Sequence, residues 1–180
     1  MQRWCRQIRD SDTTAFERLY RAQYASLLRY AHSIVRTEAA AQDVVQQAFM
    51  EVWDMRSDLD PDRSLKALLY RIVRNRAYNQ KRNEKNRRSK REEMQRTTNP
   101  AQDDPQGALD AETLQNKLDA WINDLPERQR EALRLSRFDD LSHDEIAAVM
   151  DISPRTVNNH IVRALRRLRE HVRAYDPSLL

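Results

Sequence analysis

Residues 141–168 read LSHDEIAAVMDISPRTVNNHIVRALRRL and decide the fold of the C-terminal part of the chain. Two amphipathic helical patterns flank a three-residue turn. The spacing of Ser142 and Glu145 is that of a capping box, which starts a helix by satisfying free backbone N–H groups. The second helix is predicted to start after Ser153, with Pro154 as its first residue, where a missing N–H does no harm. This layout is typical of a helix-turn-helix, whose second helix enters the major groove of duplex DNA.

The second helix of this motif has one apolar side and one polar side. Its apolar positions recur every three or four residues, as in a helix that buries a single stripe, and are Val157, Ile161, Ala164, Leu165 and Leu168. The other side has no carboxylate, and its predicted DNA-binding residues are Arg155, Thr156, Asn158, Asn159, Val162, Arg163 and Arg166. Asn and Arg are side chains that read base edges. An ordinary helical hairpin with a basic, solvated face is the alternative interpretation.

In the turn, Asp151 is expected in the left-handed conformation, which glycine adopts more easily.

The composition favours an all-α protein. The chain has 180 residues, of which one is glycine and 33% are charged, and so little glycine argues against sheets with tight hairpin turns. Cys5 is the sole cysteine, which excludes an internal disulfide and a thiol cluster for a metal. No apolar run reaches the ~18 residues needed to span a bilayer, and the amino terminus lacks the pattern of a signal peptide. We therefore expect a cytoplasmic protein without membrane insertion.

Apolar periodicity divides the chain into two small helical bundles joined by a flexible linker. In the first bundle, apolar residues recur every three or four positions in three predicted helices, so these helices can share one core; they are 13–35, 38–55 and 64–82. A polar segment with two prolines and the sole glycine follows, and it reads as a linker because it cannot bury a core of its own. The second bundle has about four helices, the last two forming the helix-turn-helix. The expected domains are 1–85, the linker 86–110, and 111–180.

Charge is concentrated at the end of the first bundle. Residues 71–91 contain ten basic side chains and one acid, Glu84. Such a run indicates a polyanionic partner, although a solvated helix face explains it equally well.

The sequence argues against an enzyme. A single glycine leaves no glycine-rich phosphate cradle, and the four histidines show no pairing with carboxylates at ligand spacing. Cys5 has no nearby base that could activate it as a nucleophile. We therefore expect no catalytic residue, no metal, no cofactor and no small-molecule substrate.

Three stretches share a family pattern. QDVVQQAFMEVWDMR, residues 42–56, is similar to D-L-V-Q-E-x-F-x-x-x-W at Asp43, Gln46, Phe49 and Trp53. SLKALLYRIVRNRAYNQKR, residues 64–82, is similar to F-x-x-W-L-Y-x-I-A-x-N-x-x-x-D at Leu69, Tyr70, Arg71, Ile72 and Asn75. LPERQREALRL, residues 125–135, is similar to the L-P-x-x-x-R-x-x-x-x-L entry to the helix-turn-helix. In this order the parts resemble the sigma-70 family of bacterial transcription initiation factors, in its two-domain extracytoplasmic-function (ECF) group.

The resemblance implies a division of labour between the two bundles. The first would bind the clamp of core RNA polymerase and melt the −10 element of the promoter, and the second would read the −35 element as duplex. The implied polymerase-binding residues are Asp43, Gln46, Gln47, Phe49 and Trp53; the two aromatic rings could instead be core. The implied −10 residues are Leu59, Asp62, Arg63, Arg71, Arg74, Asn75, Tyr78 and Asn79.

The residue types suit the task of strand opening, because a melted strand needs stacking faces for its bases and cations for its phosphates. The chain departs from the family at two positions here, since Leu65 and Leu68 replace the usual Phe and Trp. The loop before them also lacks the frequent aromatic–glycine pair.

The implied partners are core RNA polymerase, promoter DNA and an inhibitory anti-sigma factor. The main alternative is a stand-alone helix-turn-helix regulator that binds DNA as a dimer, which gives no reason for the basic run 71–91. An RNA-binding or structural adaptor that uses the basic run alone is a weaker alternative.

Overall fold

A computed structural model of the chain describes residues 1–95 and 114–176, with side chains at 1–87 and 116–176. These ranges contain helices and no strand, which confirms the all-α prediction. The α-helices are α1 (Gln2–Arg9), α2 (Thr13–Val35), α3 (Glu38–Asp54), α4 (Leu65–Gln95), α5 (Leu114–Asp124), α6 (Glu127–Arg137), α7 (His143–Met150) and α8 (Pro154–Tyr175), with a 3-10 turn at Arg56–Asp58. They belong to two compact units, one made by α1 to α4 and the other mainly by α5 to α8.

The first unit is a bundle in which α2, α3 and α4 pack against one another. The predicted helix 13–35 is confirmed, and the predicted helix 38–55 ends one residue earlier. The apolar stripes of the three helices meet in a core that includes Leu19, Leu27, Val44, Val45, Val52, Leu69, Tyr70 and Val73. Tyr70 is fully buried, and its ring centroid lies 5.3 Å from that of Tyr30 on α2.

Helix α1 was not predicted from the sequence. It packs against α2 and the 3-10 turn and buries Cys5 and Ile8, which are three residues apart on one face. Burial raises the pKa of the Cys5 thiol, because a low dielectric disfavours the thiolate. Asp12 then starts α2, since its carboxylate accepts hydrogen bonds from the N–H groups of Thr14 and Ala15 at 2.9 and 3.0 Å.

Helix α4 is longer than its apolar pattern predicted. The expected helix ended near residue 82, whereas α4 continues to Gln95 and so enters the segment 86–110 that was assigned to the linker. Residues 83–95 contain no proline or glycine and are rich in Lys, Arg, Glu and Gln, which are good helix formers even without a buried face. Residues 96–110 of the expected linker lie outside the described part of the chain.

The second unit is built around α8, against which α5 and α6 pack. Its core contains Ile122, Leu125, Leu133, Leu135, Ile146, Val157, Ile161 and Ala164. At the end of α5, Trp121 stacks on His171 of α8, with the rings 5.8 Å apart and nearly parallel.

The local signals that define the helix-turn-helix are confirmed. The N–H of Glu145 donates to Ser142 Oγ at 3.2 Å, and the N–H of Ser142 donates to Glu145 Oε2 at 2.8 Å, which completes the predicted capping box. Asp151 ends α7 in the left-handed conformation, with φ 54° and ψ 54°. Ser153 caps α8 by accepting from the N–H of Thr156 at 3.1 Å.

Among the described helices, none is both long and apolar enough to cross a membrane.

The C-terminus of α2 generates a prediction about stability. Arg36 ends this helix with φ 70° and ψ −4°, and its N–H donates to the carbonyl of His32. A left-handed conformation costs an L-residue about 1–2 kcal/mol, and glycine avoids this cost because it has no Cβ. Glycine also raises the conformational entropy of the unfolded chain, which cancels part of the gain in stability. We expect Arg36→Gly to stabilise the first unit by on the order of 0.5–1 kcal/mol, measured as a higher midpoint of thermal unfolding by circular dichroism. Arg36→Ala is the control, because it removes the same side chain and keeps Cβ; an equal gain in that variant would contradict the explanation.

Candidate functional site

The outward side of α8 is a polar surface that begins at the first turn of the helix. Burial of Val157, Ile161 and Ala164 sets the rotation of α8 in the second unit. The exposed residues on the opposite side include six of the seven predicted DNA-binding residues, namely Arg155, Asn158, Asn159, Val162, Arg163 and Arg166. The seventh, Thr156, is half-buried, and its Oγ1 lies 2.8 Å from Ser153 Oγ in the helix cap.

No carboxylate compensates the cations of this surface within α8 before Glu170. In the described part of the chain, the five polar side chains among these six residues also make no hydrogen bond or ion pair with another side chain. The free N–H groups at the start of a helix add a partial positive charge at the same end. The arrangement therefore leaves donors available for an anionic ligand and adds a positive potential around them.

His160 lies at the flank of this surface and is half-buried. Its pKa is lowered, first because burial disfavours the imidazolium and second because the cations of Arg128 and Arg163 lie nearby. In the described residues Nδ1 is buried without a hydrogen-bond partner. At neutral pH the ring is therefore neutral, and the positive charge of the surface comes from its arginines.

Helix α4 brings the five helical residues of the predicted −10 site onto one face. Arg71, Asn75 and Asn79 are exposed, while Arg74 and Tyr78 are half-buried. The guanidinium carbon of Arg74 lies 4.9 Å from the centroid of the Tyr78 ring, and Lys81 Nζ lies 5.6 Å from it. Cations are thus held around an aromatic ring, which is a combination that suits a single nucleic-acid strand.

The loop before α4 corrects one predicted site residue. Leu59 is only 4% exposed and packs in the core, since it is the one large apolar side chain of the loop RSDLDPDR. Asp62 and Arg63 are exposed as expected. Asp60, which sequence analysis did not single out, organises the loop: its Oδ1 accepts from the N–H of Asp62 at 2.9 Å, and its Oδ2 lies 3.4 Å from Arg63 Nε.

Helix α3 corrects a second predicted residue. Phe49, expected on the polymerase-binding face, is 3% exposed and packs against Phe16 and Tyr20 of α2, with ring centroids 6.0 and 4.7 Å away. Trp53 is half-buried, and its ring lies 4.9 Å from that of Phe16. Both rings belong to the apolar stripe of α3, which packs against α2. Neither ring is therefore part of the exposed face of α3.

The exposed residues of α3 include a stripe of four, Asp43, Gln47, Met50 and Asp54, which we call the α3 stripe. Gln46 is exposed beside it. Sequence analysis expected polar groups on this side of the helix but missed Met50, although its three-residue spacing from Gln47 was a usable signal. Met50 is 63% exposed, and an adaptable apolar side chain among acids is suited to a partner surface.

The α3 stripe borders a groove of about 510 Å³, lined by Gln47, Met50, Glu51, Asp54, Met55, Asp58 and Arg76. Arg76 of α4 holds this side of α3 in place, because its Nε and Nη2 donate to Glu51 Oε2 at 2.9 and 2.6 Å. Its Nη1 donates to Gln47 Oε1 at 2.7 Å, and Gln47 Nε2 in turn donates to Asp43 Oδ1 at 3.1 Å. These partly exposed contacts position the polar groups more than they stabilise the fold.

Within the ranges that the structure describes, no group of three or more His, Cys, Asp or Glu side chains is placed to hold a metal ion.

Comparison with known families gives two matches. Residues 19–87 match Sigma-70 region 2, and residues 115–168 match Sigma-70 region 4. The first match covers α3, the loop 59–64 and the exposed face of α4, and the second covers the helix-turn-helix.

Individual relatives extend over nearly the whole chain. The RNA polymerase sigma-E factor of Streptomyces coelicolor is 31% identical over 165 residues, which cover 89% of this chain and 88% of that protein. The ECF RNA polymerase sigma factor RpoE of Cereibacter sphaeroides is 29% identical, over 93% of this chain and 92% of that protein.

Two solved structures share the fold. CnrH in complex with the cytosolic domain of CnrY has a TM-score of 0.68 and 26% identity, over 96% of this chain and 97% of that one. RpoE of Bartonella quintana, in complex with the anti-sigma factor NepR, has a TM-score of 0.64 at 24% identity, over 86% of this chain and 94% of that one, and supports the fold alone. The chain belongs to the sigma-70 family of RNA polymerase sigma factors, in its extracytoplasmic-function group, whose members direct RNA polymerase to promoters.

Proposed function

We propose that the chain divides promoter recognition between its two units. Residues 1–85 bind core RNA polymerase and open the −10 element, residues 111–180 read the −35 element as duplex, and residues 86–110 connect them. The observation that carries the proposal is the exposed, acid-free side of α8, which presents unengaged arginines and asparagines at the start of a helix. That is the part of a recognition helix that contacts base edges.

The face of α4 is the proposed site of strand opening. Arg71 and Arg74 hold phosphates of the melted strand, while Asn75, Tyr78 and Asn79 contact its bases. The proposal is supported by the cations placed over the Tyr78 ring, because stacking on an aromatic ring and phosphate neutralisation are the two main terms in single-strand binding. Asp62 and Arg63 in the neighbouring loop are exposed and complete the site, whereas Leu59 anchors the loop from the core.

The α3 stripe together with Gln46 is the proposed surface for polymerase. Its carboxylates suit a basic partner helix, and Met50 supplies an apolar contact at its centre. Trp53 supports this surface from below, and Phe49 acts only through the core.

We further propose that an anti-sigma factor inhibits the chain by covering one of these surfaces. CnrH, which is 26% identical to the chain over most of its length, was solved with a protein partner, the cytosolic domain of CnrY. An inhibitor that occupied the α3 stripe would compete directly with polymerase.

The chain acts through polymerase and has no catalytic role of its own in this proposal, and it works in the cytoplasm, where its partner enzyme and promoter DNA are found. The dimeric regulator is not favoured, because it gives no role to the region 2 match at residues 19–87 and polymerase can carry a single copy to the promoter.

The −35 assignment is tested by substitutions on α8. We expect Asn159→Ala and Arg163→Glu to weaken promoter binding by about 1–3 kcal/mol each, the usual cost of a lost base contact, and to lower run-off transcription while polymerase binding stays intact. Arg173→Glu is the matched control, because it reverses an exposed arginine on the same helix about 15 Å further along. Unchanged transcription from both test variants would remove the assignment.

The polymerase surface is tested by reversing its charge. We expect Asp43→Arg with Gln46→Ala to weaken binding of the chain to core polymerase at least tenfold, measured by titration of labelled chain, because two contacts of the acidic surface are lost and one becomes repulsive. Glu170→Arg, an exposed acid in the other unit, is the control and should bind normally. Equal affinity of the double variant and wild type would place the docking surface elsewhere.

Strand opening is tested on α4. We expect Asn75→Ala and Tyr78→Ala to leave the closed promoter complex intact and to reduce opening, measured by the permanganate reactivity of unpaired thymines. Tyr78→Phe keeps the ring that stacks and should open the promoter nearly as well as wild type. Normal opening by both alanine variants would contradict the role of this face.

A further inference from the structure

Val162 is an exposed apolar side chain within the polar side of α8. It is 55% exposed, so core packing does not account for it. Helix formation does not account for it either, because a β-branched residue is a poorer helix former than the arginines around it. Its surroundings are the donors and cations proposed above to face DNA.

The position of Val162 puts it among the side chains that face the groove in the proposed function. Arg155, Asn159, Val162 and Arg166 are spaced four, three and four residues apart and form one stripe, opposite the buried Val157, Ile161 and Ala164. Val162 lies eight residues after the first residue of α8, or about 12 Å along the axis. A recognition helix lies within the major groove, so a side chain about two turns from the start of α8 and on the same stripe as Arg155 and Asn159 still faces the bases.

The chemistry of the groove restricts what a valine can contact. Base edges in the major groove present hydrogen-bond donors and acceptors, with one apolar exception, the 5-methyl group of thymine. A valine pressed against a donor or acceptor would remove water from it without replacing the hydrogen bond, which is unfavourable. When the valine packs against the methyl group, the apolar surfaces of both groups are removed from water, which is favourable.

We propose that Val162 is a specificity-determining residue that packs against the 5-methyl group of one thymine in the −35 element and so specifies an A·T pair there. The inference rests on the proposed function of α8. Asn159 and the arginines of the stripe read polar edges on either side of this contact.

The test replaces thymine by deoxyuridine, which removes only the methyl group. A promoter is first selected from a random library by the full chain bound to core polymerase. Each thymine of its −35 element, on either strand, is then replaced singly, and the affinity of the complex is measured by competition. We expect one position to weaken binding about fourfold, the effect of one methyl group returned to water, and the other positions to change binding little.

The same scan with Val162→Ala assigns the effect to this residue. The variant should bind the thymine promoter several-fold more weakly and should no longer distinguish thymine from deoxyuridine at the sensitive position. Val172→Ala removes the same atoms from a half-buried valine about 15 Å further along α8; it is the control and should keep the fourfold effect. Because Val162 is exposed, its truncation leaves the core intact.

Three results would overturn the inference alone while the promoter is still bound: a scan with no sensitive position, a −35 element without an A·T pair, or an equal uracil effect in Val162→Ala. If Asn159→Ala and Arg163→Glu also bound the selected promoter as tightly as wild type, the proposed function of α8 would fall as well, so the two failures are distinguishable.

Discussion

The burial of one stripe of α8 is the constraint on which the second unit depends. Val157, Ile161 and Ala164 are removed from water, and because their burial fixes the rotation of the helix, it also determines which residues remain outside. The cap at Ser153 and the left-handed Asp151 fix where the helix starts. The rotation and the starting point of α8 together place its exposed arginines and asparagines on one side of the helix. These arginines and asparagines do not themselves determine that placement.

The first unit uses the same principle with two exposed faces. The apolar stripes of α2, α3 and α4 meet in one core, and this leaves the α3 stripe and the Arg71–Asn79 side of α4 exposed. Arg76 links the two helices by donating to Glu51 and Gln47, so its cation is engaged between the helices while Arg71 stays exposed. An acidic surface on α3, proposed to bind polymerase, and a basic surface on α4, proposed to bind nucleic acid, thus lie on neighbouring helices.

Periodicity was sufficient where a residue's role depends on its own helix. The capping box, the start of α8 at Pro154 and the apolar stripes of α2 and α3 follow from local hydrogen bonding and from three- and four-residue spacing. Two kinds of feature escaped this reasoning. Helix α1 has only eight residues, so its buried Cys5 and Ile8 give one three-residue interval and no repeat of the pattern. Helix α4 continues to Gln95 through residues that form helix by intrinsic propensity. Apolar periodicity could not predict this extension because its sequence has no apolar stripe.

The sequence by itself determined the all-α class, the helix-turn-helix and the family, because these depend on local spacing and residue type. Only the tertiary structure decided which residues of the candidate surfaces are available. Phe49 packs between Phe16 and Tyr20, and Leu59 anchors its loop in the core, whereas Met50 and Val162 are apolar and exposed. An apolar residue reads the same in a sequence whether it is buried or exposed, since its burial depends on helices distant along the chain that pack against it.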